Sequence, residues 1–117
     1  MLIANHPIKE HIRLENVLSA LGSPLRLTVV KVLSDGEQHT CGSILKGATK
    51  STMTHHWRVL RDAGVIWQKP YGRENLLSLR KDDLDSRFPG LVDSILSSFR
   101  VDPLTIETVT FHAAENS

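Results

Sequence analysis

Apolar residues in the N-terminal third of the chain recur at spacings of three and four, the pattern of helices that bury one face. The first such segment, residues 8–21, predicts an amphipathic helix that ends at Gly22, because glycine is a common helix stop. Ser23 then suits an N-cap and Pro24 suits the first helical position. A second helix is therefore expected to run to about Leu33.

The middle of the chain predicts a short helix over residues 40–46 and a longer helix over residues 49–63. The small residues Gly47 and Ala48 separate the two helices, and Thr49 offers an N-cap for the longer one. This longer helix is amphipathic. Its apolar stripe consists of Met53, Trp57, Leu60 and the terminating Gly64, and its opposite face carries Ser51, His55, Arg58 and Asp62, flanked by Thr54.

The pattern beyond Gly64 changes from helical to β-prone. Residues 65–71 and 74–79 flank Gly72-Arg73, which predicts a β-hairpin. A short helix that leads through a turn into a helix with a polar outer face indicates a helix-turn-helix, and the hairpin that follows it indicates a wing.

The C-terminal part predicts further helices and a tail. Lys81 begins a helix with acids in its first turn, and a last helix that follows Pro89-Gly90 runs to about Ser98. The chain is thus expected to be mainly α-helical with a small β-hairpin. We expect residues 1–99 to form one winged helix-turn-helix domain and residues 100–117 to form a C-terminal tail.

Positive charge is concentrated in the middle of the chain. The 117 residues have a net charge of +1, but residues 46–73 carry six basic residues against one acid, a net charge of +5. Residues 1–45 are neutral overall, and residues 74–117 carry four basic and eight acidic groups. A basic middle segment indicates a surface that binds anions such as nucleic acid, and the alternative is an ordinary solvated face.

Composition also narrows the class of protein. Cys41 is the only cysteine, so an internal disulfide is impossible. No apolar run approaches the roughly 20 residues of a membrane span, and the first ten residues lack the pattern of a signal peptide. We therefore expect a cytoplasmic protein with no membrane partner. No P-loop, nucleotide fingerprint, nucleophile elbow or HExxH motif occurs. We therefore expect that the protein is not an enzyme and binds no cofactor.

Two segments resemble the winged-helix repressors of the ArsR family. Residues 18–27, LSALGSPLRL, are similar to the family's LADPTRL segment, and residues 51–65, STMTHHWRVLRDAGV, are similar to its recognition helix, STVSHHLKVLREAGL. The hairpin that ends at Leu79 lies where the family has its wing, and Arg87-Phe-Pro-Gly-Leu91 resembles the C-terminal part of some members. The resemblance implies a homodimer that binds operator DNA and releases it when a ligand or chemical signal arrives.

The polar face of the longer helix and the tip of the hairpin are the candidate DNA-binding surfaces. Arg58 suits a guanine in the major groove, and Lys50 and Ser51, near the helix N-terminus, suit a phosphate. Basic side chains of a wing commonly contact the minor groove or the DNA backbone, and the alternative is an exposed basic turn. Tyr71 is expected to pack on the hairpin. The predicted DNA-binding residues are Lys50, Ser51, Thr52, Thr54, His55, Arg58, Lys69 and Arg73.

The histidine and cysteine positions predict no metal site. His55 and His56 are adjacent, so on a helix they point about 100° apart and do not chelate from one face. We expect His55 to face DNA and His56 to lie at the edge of the core. Metal-sensing members of the family carry Cys-x-Cys in the short helix or a set of acids and histidines on the last helix. The corresponding segments here are His39-Thr40-Cys41 and residues 91–100, which have one acid.

Apolar residues on the terminal helices predict a homodimer. Exposed apolar patches usually mark an interface, and a two-fold partner would place two recognition helices roughly 34 Å apart, one turn of DNA. The alternative is that these residues close the core of the single chain or cover the tail. The predicted interface residues are Ile8, Ile12, Leu91, Val92, Ile95, Leu96 and Phe99.

The sequence thus predicts a sequence-specific DNA-binding transcription regulator, a dimeric repressor that is released from double-stranded DNA by an effector whose identity the sequence leaves open. Two alternatives stay open. One is a winged-helix module that binds other proteins, and the other is a small metal or redox sensor that uses His39 and Cys41. The basic residues 46–73 favour DNA, because a wing that binds only protein does not need a net charge of +5.

Overall fold

The computed structural model describes residues 6–44 and 50–99, and for residues 50–52 it describes the backbone alone. These residues form a 3-10 helix, six α-helices and three β-strands. In chain order the elements are the 3-10 helix Lys9–His11, α1 (Leu14–Ala20), α2 (Pro24–Leu33), β1 (His39–Thr40), α3 (Cys41–Ile44), α4 (Lys50–Asp62), β2 (Ile66–Tyr71), β3 (Glu74–Leu79), α5 (Lys81–Arg87) and α6 (Leu91–Ser98).

The predicted hairpin is present and forms part of a three-stranded antiparallel sheet. Strands β2 and β3 pair from Ile66↔Leu79 to Tyr71↔Glu74, which leaves a two-residue turn in which Gly72 has a φ of 61°. Strand β1 pairs with the other side of β3, so the order is β1-β3-β2. Sequence reasoning missed β1, because two residues are too few to show a periodicity. The mainly helical fold with a small sheet is otherwise as predicted.

The core lies between the helices and one face of the sheet. The apolar stripe predicted for α4 is confirmed, since Met53, Trp57 and Leu60 are all buried. Strand β2 alternates, with the side chains of Ile66 and Gln68 buried and those of their neighbours half-buried. Helices α1 and α2 add the aliphatic residues Val17, Ala20, Leu21, Val29, Val30 and Leu33 to the same cluster.

The predicted helix over residues 8–21 is interrupted. It consists of the 3-10 helix and α1, because Ile12 (ψ 122°) and Arg13 (ψ 136°) between them have extended backbone. The side chain of Ile12 turns into the core, where it is 1% exposed, and its carbonyl oxygen accepts a hydrogen bond of 2.7 Å from Nη2 of Arg87 on α5. Helical periodicity in the sequence could not show this break, because Arg87, which binds the Ile12 carbonyl oxygen, lies far along the chain.

Several predicted helix boundaries are confirmed. The Ser23 hydroxyl accepts from the Arg26 backbone N–H at 3.4 Å, and Pro24 is the first residue of α2. Helix α4 ends before Gly64, whose φ is +85°. The short helix α3 begins at Cys41, one residue later than expected. The predicted end of that helix at residue 46, the Gly47–Ala48 break, the Thr49 cap and the 100–117 tail lie outside the described residues.

None of the helices within residues 6–44 and 50–99 has both the length and the apolar character that a membrane span requires.

Candidate nucleic-acid interface

Helix α4 presents a polar face to solvent opposite its buried stripe. Thr54, His55 and Arg58 are exposed, whereas their sequence neighbours Met53 and Trp57 are buried. This division follows from the helical period, because residues three and four apart share a face. Lys50, Ser51 and Thr52 form the first turn of α4, and their side chains lie outside the described part of the chain.

The C-terminal half of α4 is held against the sheet. Nη1 of Arg61 donates to the side-chain oxygen of Gln68 on β2 at 3.1 Å, and the Gln68 side chain is buried. The backbone N–H of Gln68 in turn donates to Nε2 of His6 at 2.9 Å. Arg61 belongs to the basic segment of the sequence, but in the fold it connects the helix to the sheet.

The N-terminal half of α4 is held against α2. Nη1 of Arg26 lies 3.1 Å from Nδ1 of His56, and Nε of Arg26 donates to the Ala20 carbonyl oxygen at 2.6 Å. Burial, followed by the charge of Arg26 and that of His55, lowers the pKa of His56 from 6.5. The two adjacent histidines thus differ as predicted, since His55 is exposed and His56 lies half-buried at the edge of the core.

The tip of the wing (β2, β3 and the turn between them) is exposed. Tyr71, Gly72, Arg73 and Glu74 all face solvent. Tyr71 is 60% exposed, and its packing on the hairpin stays a prediction. Tyr71 lies on the outer face of β2, and near the tip no other described element covers that face.

Lys69 lies nearer to the base of the wing and is half-buried. It shares the outer face of β2 with Trp67, two residues before it. Both residues line a shallow cleft of about 250 Å³ together with Gln38, Leu76 and Ser78. Lys69 and Arg73 are therefore not equivalent, since Arg73 stands at the exposed turn and Lys69 lies against the sheet.

A buried arginine anchors the base of the wing. Arg80 is 2% exposed, and its Cζ lies 3.7 Å from the centroid of the Trp67 ring. Its Nε and Nη2 donate to Oδ2 of Asp83 at 3.1 Å and 2.9 Å, and its Nη1 donates to the Pro7 carbonyl oxygen at 2.7 Å. Sequence reasoning missed Arg80, because an arginine directly after a strand gives no signal that it is buried.

Glu74 connects the wing to the start of the helix-turn-helix. Its Oε1 accepts from the backbone N–H of Gly42 on α3 at 3.0 Å. A Cβ at Gly42 would lie 2.5 Å from this oxygen, so the close approach depends on glycine. The hairpin and the region of the short helix are therefore connected by one polar contact and by the β1–β3 pairing.

The residues of the metal or redox alternative lie beside this contact. Nε2 of His39 lies 2.8 Å from Oδ2 of Asp35, and Cys41 is half-buried at the start of a four-residue helix. The Glu37 backbone N–H and, more weakly, His39 lower the pKa of Asp35. Within residues 6–44 and 50–99, no three histidine, cysteine or acidic side chains are grouped to hold a metal ion.

The predicted dimer-interface residues divide into two groups. Ile12, Val92 and Leu96 are buried in the core of the single chain, so they expose almost no surface to a partner. For these three residues the structure agrees with the alternative interpretation, in which they close the core of the single chain. The residues that retain exposed surface are Ile8, which is exposed, and Leu91, Ile95 and Phe99, which are half-buried.

Comparison with known proteins connects this geometry to transcriptional regulators. The sequence profile of a helix-turn-helix domain matches residues 21–66, which extend from the end of α1 to the start of β2. The chain is also 27% identical over 82 residues to the uncharacterized HTH-type transcriptional regulator YceK of Bacillus subtilis (strain 168). That match covers 68% of this chain and 82% of the relative.

Two solved structures share the fold. One is a crystal structure of an ArsR family transcriptional regulator, with a TM-score of 0.57 and 23% identity over 74% of this chain and 93% of that one. The other is described as a possible transcriptional regulator for arsenical resistance, with a TM-score of 0.53 and 23% identity over 82% of this chain and 95% of that one.

These matches agree with the prediction that the chain is not an enzyme, since the relatives are described as transcriptional regulators. The helix-turn-helix match covers α2, α3 and α4. The chain thus contains a helix-turn-helix domain, is similar to an HTH-type transcriptional regulator, and shares the fold of regulators of the ArsR type.

Proposed function

We propose that the chain is a dimeric repressor that binds a two-fold symmetric operator in double-stranded DNA and leaves it when an effector arrives. Repression and release by a signal come from the resemblance to ArsR repressors, and the DNA-binding geometry comes from this chain. A protein that binds operator DNA must share a compartment with that DNA. We therefore propose that the protein is cytoplasmic.

The observation that carries the proposal is the exposed polar face of α4. A helix fits the major groove, where an arginine can donate two hydrogen bonds to a guanine. Arg58 is the exposed arginine at the middle of this face, with Thr54 and His55 one turn before it. We assign base contacts to these three residues and to Thr52, and phosphate contacts to Lys50 and Ser51 at the start of the helix.

The wing supplies contacts outside the major groove. Arg73 stands at the exposed turn, and Lys69 lies on the outer face of β2. Cations at these positions suit phosphates or the minor groove, and such contacts add affinity that is largely independent of sequence. The anchoring of the wing by Arg80 and Glu74 supports this role, because a wing of fixed orientation carries its cations to a defined place on the DNA.

Exposed apolar side chains near the N-terminus support the dimer. Ile8 is exposed, and Leu14 and Leu18, which are four residues apart on α1, are exposed as well. Leu91, Ile95 and Phe99 add half-buried apolar surface at α6. We propose that these six residues form the interface, in which Leu14 and Leu18 replace the buried Ile12, Val92 and Leu96 of the original prediction. Burying such surface between two copies is favourable in water.

A selection from a library of random duplex DNA tests the proposal. The wild-type chain is expected to enrich a sequence with two related half-sites whose centres are about 10 base pairs, or a multiple of one helical turn, apart. Fluorescence anisotropy then gives the affinity for the selected duplex and for a scrambled duplex over a range of salt concentrations.

Three outcomes are informative. A selected duplex that binds at least about a thousandfold more tightly than the scrambled one is the expected result for specific binding. Equal affinities for both duplexes would contradict sequence specificity. No binding even at low salt would overturn the proposal and favour the protein-binding module.

A further inference from the structure

Arg26, on α2, contacts both α1 and α4. Its Nε donates to the carbonyl oxygen of Ala20, the last residue of α1, and its Nη1 lies 3.1 Å from Nδ1 of His56. Both contacts are partly buried. The ring of His56 also contacts the ring of His55 edge-on, with 5.6 Å between the centroids. Arg26 on α2 therefore links the end of α1 to the middle of α4.

This contact admits only one protonation state of His56. A guanidinium has donors and no acceptor, so Nδ1 of His56 must be the acceptor. The neutral ring then carries its proton on Nε2. A second proton would place an N–H on Nδ1 opposite the N–H groups of Arg26, and it would place two positive charges side by side.

The surroundings of His56 favour its neutral form. Helix α2 contributes the positive charge of Arg26, and α4 contributes His55, a second titratable ring. Helix α1 contributes the neutral carbonyl group of Ala20, which holds Arg26 in place. Both charged neighbours and partial burial act in the same direction and lower the pKa of His56.

We propose that the Arg26–His56 contact positions the recognition helix, so that operator binding requires His56 to be neutral. The inference rests on the proposed function, in which α4 reads the major groove. His56 directly follows His55 and lies two residues before Arg58. Loss of its contact with α2 therefore displaces the turn of α4 that carries these exposed side chains. His56 is a positioning residue and makes no contact with bases itself.

The sign of the pH effect distinguishes this proposal from simple electrostatics. Acidification adds positive charge to a protein, and added positive charge strengthens its binding to any DNA. The proposal predicts the opposite for the operator, because protonation of His56 breaks the contact that orients α4. Operator affinity should therefore fall on acidification while affinity for scrambled DNA rises.

The experiment measures the affinity for the selected duplex and for the scrambled duplex at about pH 7.5 and about pH 5.5, which lie on either side of the histidine range. His55 is kept, because it belongs to the proposed DNA-binding face, and a comparison with His56→Asn, which also keeps His55, isolates the contribution of His56. In the wild-type chain we expect operator affinity to fall several-fold on acidification, since a one-unit difference in the pKa of His56 between bound and free protein limits the fall to about tenfold.

Two variants of the wild-type chain separate a positioning role of His56 from a role in folding. His56→Asn retains an acceptor near Nδ1 and does not titrate, so it should keep the affinity at neutral pH and lose the fall on acidification. His56→Leu removes the acceptor, so it should bind the operator weakly at both pH values. Circular dichroism at each pH checks that the variants are folded. If His56→Leu does not fold, the result for His56→Asn alone decides the test.

The proposal is overturned if His56→Asn shows the same fall as the parent, or if operator affinity rises on acidification as it does for scrambled DNA. These results differ from a failure of the proposed function. In that case the wild-type chain would select no sequence at all, and the pH comparison would have no operator to use.

Discussion

The side chain of Ile12 occupies the space that a Cβ atom at Gly64 would need. A Cβ built at Gly64 would lie 2.5 Å from Cγ1 and 2.9 Å from Cδ1 of Ile12. Gly64 also has a φ of +85°, which L-residues rarely adopt. Two separate causes therefore require glycine where α4 ends. The contact places the N-terminal segment directly against the end of the proposed recognition helix.

Substitution of Gly64 by alanine should destabilise the protein more than the same change at Gly36. Gly36 has almost the same φ, +83°, but a Cβ there would meet nothing within 4 Å. Gly36→Ala should cost about 1 kcal/mol of backbone strain. Gly64→Ala should cost about 2 kcal/mol more, because Ile12 must also move. Urea unfolding measures both, and equal losses would show that Ile12 adapts freely.

Removal of Arg58 should weaken operator binding without changing stability. Arg58 is exposed on α4, so Arg58→Ala should cost about 1–3 kcal/mol of specific binding and leave the unfolding midpoint unchanged. Arg13→Ala is the matched control, because it removes an exposed arginine that pairs with Glu15 outside the basic segment. Similar losses of affinity for the two variants would assign the effect of Arg58 to net charge alone.

The wing cations should act on all DNA sequences alike. Each phosphate contact releases about one counterion, so Arg73→Ala should make the slope of log affinity against log salt shallower by about 0.9. Lys69→Ala should have a smaller effect, because Lys69 is half-buried against the outer face of the sheet. The measurement is anisotropy with scrambled duplex at several salt concentrations. An unchanged slope in both variants would remove the wing from the DNA interface.

An acidic residue at Leu18 should dissociate the proposed dimer. Leu18 is 47% exposed on α1, and Leu18→Asp would place a charge in the interface. Val32→Asp is the control, because Val32 is an apolar residue of similar exposure, 37%, on α2 and outside the proposed interface. Sedimentation equilibrium should show a monomer for the first variant and a dimer for the second. A wild-type monomer at micromolar concentration would rule out the dimer.

The free energy of unfolding should depend on His56 with a defined sign. Burial, Arg26 and His55 lower the pKa of His56 in the folded chain below 6.5, whereas the unfolded chain keeps the ordinary value. The unfolded state therefore binds the proton more readily. The contribution of His56 to stability is complete above about pH 6.5 and is lost as the pH falls through the lowered pKa of the folded state.

Urea unfolding of the wild type and of His56→Asn between about pH 8 and pH 5 measures this contribution, because other titrating groups affect both proteins equally. The difference in stability should shift in favour of His56→Asn as the pH falls. A constant difference over the whole range would mean that the pKa of His56 is the same in both states.

The part of the fold that sequence reasoning predicted well depends on neighbours along the chain. The amphipathic period of α4, the Ser23-Pro24 start of α2 and the Gly72-Arg73 turn were all expected and are present. Each of these depends on backbone preferences and side-chain spacing within a few residues. For the same reason the division of α4 into a buried stripe and an exposed polar face was visible before the structure.

The sequence alone could not separate interface residues on the terminal helices from core residues. Helical spacing shows that Ile12, Val92 and Leu96 lie on apolar faces, but it does not show what covers those faces. The core of the single chain covers these three, whereas Leu14 and Leu18 keep exposed surface. Apolar periodicity alone therefore predicts that a face is buried without saying whether the same chain or a partner buries it.

The sequence by itself determined α2, α4, the two C-terminal helices and the hairpin, together with the polar face of α4 and the basic charge of residues 46–73. Only the tertiary structure decided which charged and titratable groups work inside the protein. Arg80 meets the Pro7 carbonyl group 73 positions away, and Arg26 meets His56 30 positions away. Such contacts leave no local signal, because burial and partner choice arise only when distant segments pack together. The exposure of Arg58 follows from the helical period of α4, whereas the burial of Arg80 at the base of the wing is decided by the fold alone.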